Sequence, residues 1–290
     1  MTALLCHPWN TNFAWTDHTG PFRRVTTEQA RAYDQQGFFV LEHAIDPETI
    51  AALTTVIEPL DAEVMAFLAA QPDGRFSIAG VDTVSIAVHP AARSTVCRDF
   101  CTSQLMADLA HDLIGPDVRL YWDQAVYKRP HGVEPVLWHQ DNGYTYIEPQ
   151  AYLTVWVALT DATPQNGCIS VLPGVHRYGT AAHRNTPIGF ECCIDPEGAI
   201  EVPVRAGDAV VFSSLTPHST GRNLTEAIRR AYIVQYAPDG AECLRGDPDS
   251  GPPIGRDPQT APDRQFPVVV DGARPSVGGP SSNKLRWSNT

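Results

Sequence analysis

Apolar positions in the first third of the chain recur at helical spacing, whereas from about residue 118 they fall in short runs between turn residues. Thr26 stands three residues before Gln29, the spacing of a capping box, so a helix is predicted from there to Gly37, a usual helix stop. Phe38-Phe39-Val40-Leu41 then reads as a buried strand. Asp46-Pro47 offers a cap and a first-turn proline for a second helix, along which Ile50, Leu53, Ile57, Leu60, Val64 and Leu68 share one face. Pro59 is expected to bend that helix or split it. A further helical stretch, 94–113, stops at Gly115-Pro116.

The later runs are 119–127, 152–159, 168–172, 199–204, 209–212 and 231–236. Strands at such intervals predict an antiparallel sandwich or barrel, a jelly roll being one form. Residues 1–24 carry no periodicity and are expected to form an irregular arm. Residues 239–290 turn to Gly, Pro, Asp and Ser and read as an irregular tail, in which 266–270 is apolar enough to dock as a strand or cap. No linker separates the helical layer 25–117 from the β core 118–238, so the two are read as one domain.

Composition narrows the classes. The 290 residues are 43% hydrophobic, enough to bury a core, and no run approaches the roughly 18 apolar residues of a membrane-spanning helix. Residues 1–15 lack the basic and apolar regions of a secretory signal, so the chain is expected to be soluble and cytoplasmic. The formal charge is -12 and the lysines are Lys128 and Lys284 alone, which argues against nucleic acid and against an anionic membrane as partners. Seven cysteines without a C-x-x-C pair suggest thiols in a reducing compartment, the adjacent Cys192-Cys193 included.

The sharpest chemical signal is Trp138-His139-Gln140-Asp141. On an extended strand, residues two apart point to one face, so the His139 imidazole and the Asp141 carboxylate could share a metal. Alone, this spacing also suits a surface loop. His218, 77 residues beyond Asp141, offers a third ligand after the run 209–212, and two histidines with one carboxylate leave positions open on a non-heme iron. Arg229 follows 11 residues after His218, placed to aim a guanidinium at a planar carboxylate; of Arg229 and Arg230, one should face inward.

In these motifs the chain resembles the phytanoyl-CoA dioxygenase family of Fe(II)/2-oxoglutarate oxygenases, from about Thr26 to Ala237. The resemblance rests on four blocks. They are Thr27-Glu28-Gln29 through Asp46-Pro47-Glu48; Lys128-Arg129-Pro130 with His139-Gln140-Asp141; Asn166-Gly167-Cys168 through Leu172-Pro173-Gly174-Val175-His176; and Gly207-Asp208 through His218, Asn223 and Arg229. It implies a mainly β fold with flanking helices around a double-stranded β-helix (jelly roll, cupin-like) core, with 25–238 as the catalytic domain. It also implies Fe(II) on His139, Asp141 and His218, with 2-oxoglutarate and O2 as cosubstrates. Arg229 would hold the distal carboxylate of 2-oxoglutarate, and Thr220 and Trp156 fall where the family often contacts it. Trp156 suits an ordinary core position equally well, and His176 reads as structural. Halogenating relatives replace the carboxylate with a small residue, so Asp141 points to hydroxylation, with desaturation, epoxidation and cyclisation open to the same chemistry.

Around the ligands, Trp138, Asn142, Tyr144 and Tyr146 are candidates to line the mouth for a compact, partly apolar small-molecule substrate, or else to pack under the N-terminal arm. Lys128 could meet an anionic group or stand in a solvated loop. No basic cluster for a coenzyme A ester is visible. The reading from another class is a non-catalytic jelly-roll binding protein, which would need a closed site or none. The oligomeric state is not legible.

Overall fold

The Thr26 hydroxyl accepts the Gln29 N–H at 3.1 Å while the Gln29 side chain accepts the Thr26 N–H at 3.0 Å, and this reciprocal cap starts α1 (Thr27–Gln36). Gly37, at φ 88°, ends it, and a Cβ there would lie 2.4 Å from the Thr216 hydroxyl. The turn feeds β1 (Phe38–Leu41) into a sheet. Asp46 caps α2 (Pro47–Ala69), which runs unbroken through Pro59. Of the bend or split expected from sequence, the split does not occur. Leu53, Ile57, Leu60 and Leu68 are buried on both sides of the proline, and that packing outweighs the roughly 3 kcal/mol an interior proline costs.

After β2 (Val84–Val88), the stretch expected as one helix is two, α3 (Thr95–Cys101) and α4 (Gln104–Leu113). Ser103 separates them, because its side chain accepts the Met106 N–H and so caps the second. The strands follow: β3 (Val118–Lys128), β4 (Val136–His139), β5 (Leu153–Ala158), β6 (Ile169–Val171), β7 (Arg184–Thr186), β8 (Gly189–Glu191), β9 (Ile200–Val202), β10 (Ala209–Ser213), β11 (His218–Thr220) and β12 (Arg229–Pro238). The described part of the tail adds β13 (Glu242–Arg245), β14 (Gly255–Pro258) and β15 (Pro267–Val269). The computed structural model describes residues 4–132 and 134–275.

One sheet has the order β1-β10-β5-β12-β3-β15, with β2 also on β3; a smaller one has the order β9-β6-β11-β4, and all the pairings are antiparallel. The two face each other across Trp156, Phe212 and Ile233 of the larger sheet and Ile169, Val171 and Val202 of the smaller. This is a double-stranded β-helix with helices on one side. Both faces of β5 and β12 are covered, which is why they read as continuous apolar runs. Leu153, Val155, Val157, Tyr232, Val234 and Tyr236 pack toward the helices, while Trp156, Ala158, Ala231 and Ile233 point between the sheets.

The tail is more ordered than the irregular coil expected over 242–258, while 266–270 docks as a strand as its apolar run suggested. Glu242 and Cys243 of β13 pair with the two-residue strand Ile147–Glu148, β14 pairs with β13, and Val268 and Val269 of β15 sit in the helix-side core. Backbone pairing supplies the order that apolar content does not predict for 242–258. Residues 4–24 contain no helix or named strand. The buried Asp112 carboxylate gathers the arm's end by accepting the Arg23, Arg24 and Val25 N–H groups at 2.8–3.0 Å. Among the described residues, no helix is long and apolar enough to cross a membrane.

Candidate metal and cosubstrate site

The register of the smaller sheet sets His218 of β11 directly opposite His139 of β4, and their ring centroids stand 4.2 Å apart. Each Nδ1 is 2.7–3.0 Å from a backbone carbonyl, that of Leu137 for His139 and that of Thr216 for His218. A neutral ring making that bond donates from Nδ1, so both Nε2 lone pairs are left to point inward. Burial, reinforced by the neighbouring His218, drives the His139 pKa well below its ordinary value, so this imidazole stays neutral at pH 7.

Asp141 completes the group, with Oδ1 4.0 Å from His139 Nε2 and 3.8 Å from His218 Nε2. One ligand atom from each of the three residues lies within 4.8 Å of the others. The route differs from the one the spacing suggested. His139 is the last residue of β4, Gln140 is extended, and Asp141 opens a short helix, Asp141–Tyr144. A shared strand face is therefore not what aims the pair. The buried Gln140 side chain fixes the corner from below, donating to the Leu215 carbonyl at 2.6 Å and the Gly179 carbonyl at 3.1 Å and accepting the Ala181 N–H at 2.6 Å. Thr154 of β5 donates its hydroxyl to Asp141 Oδ2 at 2.6 Å, leaving Oδ1 for the histidines. Neither role has a motif of its own.

The ligand atoms open into a cavity of about 300 Å³ between the sheets. Arg229, 1% exposed at the start of β12, reaches into it, with its guanidinium carbon 5.3 Å from the Trp156 ring centre. Its NH1 makes a 3.5 Å contact to the Val126 carbonyl, whereas Nε and NH2 are buried without a partner, as is the Thr220 hydroxyl. Leaving such groups unsatisfied costs on the order of 1–3 kcal/mol each, more when charged. A carboxylate entering between them would recover it. Burial pulls the Arg229 pKa down to about 10, which still leaves it charged at pH 7. Arg230 faces the other way, toward Glu58 at 3.4 Å.

Residues 33–231 match the family model described as phytanoyl-CoA dioxygenase (PhyH). The chain belongs to that family. It is 23% identical over 232 residues to a probable alpha-ketoglutarate-dependent hypophosphite dioxygenase of Stutzerimonas stutzeri, covering 76% of this chain and 81% of that one. It is 33% identical over 145 residues to a methylphosphonate hydroxylase of Gimesia maris, covering 48% of this chain and 53% of that one. Among solved structures, the non-heme alpha ketoglutarate dependent carbocyclase SnoK from nogalamycin biosynthesis superposes with a TM-score of 0.68. It is 23% identical, with 86% of this chain and all of that one covered, a likeness that speaks for the fold.

Within this PhyH-family site, the expected residues divide. His139, Asp141, His218, Arg229, Thr220, Trp156 and Tyr144 all line the cavity. Tyr144 sets its ring edge-on to His139 at 5.0 Å and to Phe190 of β8 at 5.2 Å. Trp138, Asn142 and Lys128 do not line it. Trp138 is next to His139 on a strand and so alternates to the opposite face. Asn142 is buried as a brace, donating to the Thr180 hydroxyl at 2.7 Å and accepting the Ile147 N–H at 2.8 Å. Lys128 is neither in a solvated loop nor at the mouth: it ends β3, 1% exposed, directly across from Arg229. Burial, then the charge of Arg229, pushes its pKa well below the usual lysine value. Tyr146 packs under the arm, 4.6 Å from His7 and 5.6 Å from Trp9. His176 is buried in the structural role expected of it, with Nε2 3.1 Å from the Asp34 carbonyl. The lining residues that sequence reasoning passed over include Trp122, Gln124 and Val126 of β3 and Ile233 and Gln235 of β12. Period-2 alternation in those two runs was the available signal.

Proposed function

We propose that this chain is an Fe(II)- and 2-oxoglutarate-dependent oxygenase that hydroxylates a C–H bond of a small molecule. One observation carries the reading: two histidine Nε2 atoms and a carboxylate oxygen share a cavity with a buried, partly unpartnered guanidinium. His139, Asp141 and His218 would hold the metal, and three protein ligands leave room for a bidentate cosubstrate and a gas. Arg229, assisted by Thr220 and with Trp156 beneath it, would hold the distal carboxylate of 2-oxoglutarate.

Held by His139, Asp141 and His218, iron would supply the chemistry for oxidising the substrate with O2, 2-oxoglutarate being converted to succinate and CO2. The protein contributes orientation and dryness. Carbonyl bonds at both Nδ1 atoms lock the imidazole tautomers, Thr154 holds the Asp141 carboxylate, and aromatic walls such as Tyr144 and Trp122 would limit water at a bound substrate. Asp141 fills the position that a halogenating relative would leave to chloride, which favours oxygen insertion. All the proposed ligands lie within the β core 118–238. A binding protein with a structural metal would be expected to close the site with a fourth ligand.

Anaerobic addition of Fe(II) and 2-oxoglutarate tests the reading. A metal-to-ligand absorption band in the visible should form, and His139→Ala should abolish it. Arg229→Ala should weaken 2-oxoglutarate binding by about 2 kcal/mol or more, roughly thirtyfold, while Arg230→Ala leaves it near wild type. Equal losses from the two arginine variants would refute the clamp. Absence of the band in the wild type would refute the oxygenase.

A further inference from the structure

Two amide side chains on the inner face of the larger sheet are fixed in complementary orientations beside the metal ligands. Gln124 of β3 accepts the Trp122 indole N–H at 3.1 Å. An indole nitrogen only donates, so the atom facing it must be Oε1, and the Gln124 NH2 is turned the other way with no partner among the described residues. Gln235 of β12 is oriented by a second chain of bonds. The Thr154 hydroxyl gives its one proton to Asp141, so it must accept from Gln235 Nε2, 3.4 Å away. The carbonyl end of Gln235 is left with no partner among the described residues. In the register, Gln124 opposes Ile233 and Gln235 opposes Trp122, so the two amides are diagonal neighbours about 7–8 Å apart at the backbone. Both line the cavity.

The remaining walls at that end are Ile86, Tyr121, Trp122, Tyr144 and Ile233. The charged side chains that line the cavity are Asp141 and Arg229, which cancel. Iron(II) and dianionic 2-oxoglutarate cancel as well, so among the described lining residues no charge is left over to neutralise an anion. His183, close by, has both ring nitrogens committed, to the Gln140 N–H and the Ala181 carbonyl.

We infer that Gln124 and Gln235 form a substrate subsite, a donor beside an acceptor, for a neutral, compact, largely apolar molecule with a lactam-like edge. This rests on the proposed oxygenase reading and adds the substrate class. Gln124 donates to the substrate carbonyl, Gln235 accepts its N–H, and the apolar walls hold the rest near the metal. Small oxyanions such as phosphonates would find no second cation among the described residues that line the cavity.

The test uses the protein loaded anaerobically with Fe(II) and 2-oxoglutarate and titrated by calorimetry and by perturbation of the visible band. The probes are 3,4-dihydro-2-quinolinone as the lactam, 2-tetralone as its analogue with CH2 in place of the N–H, and methylphosphonate as the anion. The lactam should bind at least tenfold more tightly than the ketone, and methylphosphonate should not compete. Gln124→Met and Gln235→Met should each weaken the lactam about tenfold, and 2-oxoglutarate titration of the same variants reports whether the fold and clamp are intact. Methylphosphonate binding as tightly as the lactam, no binding of either, or an unchanged lactam affinity in both variants would overturn the subsite. The wild-type comparison decides even if a variant fails to fold. Failure of the band to form would instead remove the oxygenase reading.

Discussion

Thr154→Val isolates what one hydroxyl in β5 does for the metal site. Valine keeps the shape and suits a strand, so the packing around a fully buried position is preserved while the 2.6 Å bond to Asp141 Oδ2 is lost. Two effects oppose. A carboxylate stripped of a donor is more basic and a better ligand, but it is also released to rotate away from the two Nε2 atoms it faces at 3.8 and 4.0 Å. Hydrogen bonds to charged groups contribute about 1.5–3 kcal/mol, which corresponds to roughly 10- to 150-fold at 1.4 kcal/mol per decade. Removing an outer partner of a metal ligand typically costs about 10–100-fold in affinity or activity, so orientation should win. Anaerobic calorimetric titration with Fe(II), or with Mn(II) as a slower-oxidising probe, should show the dissociation constant rising by about 10–100-fold. Thr154→Ser, which keeps the donor, should recover most of it. A Thr154→Val protein with an unchanged circular dichroism spectrum and a dissociation constant within threefold of wild type would refute the reasoning.

Gln140→Leu should destabilise the fold by about 2–5 kcal/mol in urea unfolding, because it strips partners from two buried carbonyls and one buried N–H. Gly167→Ala should lower Tm by several degrees, since Gly167 holds φ 82° and an added Cβ would lie 2.4 Å from the Gly221 carbonyl oxygen. Burial lowers the His176 pKa from 6.5 to about 4, so between those values the unfolded chain binds a proton that the folded chain refuses. Stability is then full above pH 6.5 and falls as pH drops toward 4, by up to about 3 kcal/mol from this residue. Urea unfolding between pH 7 and 5 should show the fall, and His176→Gln should flatten it; an unchanged slope would exclude His176 as the source.

The chemistry of the site was more legible than its geometry. His139, Asp141, His218 and Arg229 stand out because few side chains can do their work and their order along the chain is distinctive. The strand reasoning that grouped His139 with Asp141 failed at Gln140, where the chain turns from extended to helical, and the same turn sent Asn142 into the protein while leaving Tyr144 on the cavity. Lys128 could not be placed from its neighbours, because its burial depends on β3 continuing to its very end against β12. Gln124 and Gln235 were invisible for a related reason: each is an ordinary polar residue in a strand, and only the register between two strands more than a hundred residues apart makes them a pair. Strands β13 and β14 of the tail escaped notice because hydrogen-bonded pairing, rather than a run of apolar residues, gives them their order, whereas the apolar 266–270 was legible as a strand.

The 11-residue strand β3 has one flank against β12, and its other flank is divided between two short partners, β2 along 124–128 and β15 at 118–119. An uncovered length of strand this apolar would be a template for another copy of the chain. Ending the polypeptide before Pro267 would therefore leave every proposed ligand in place and change the company the protein keeps: gel filtration should show self-association that grows with concentration.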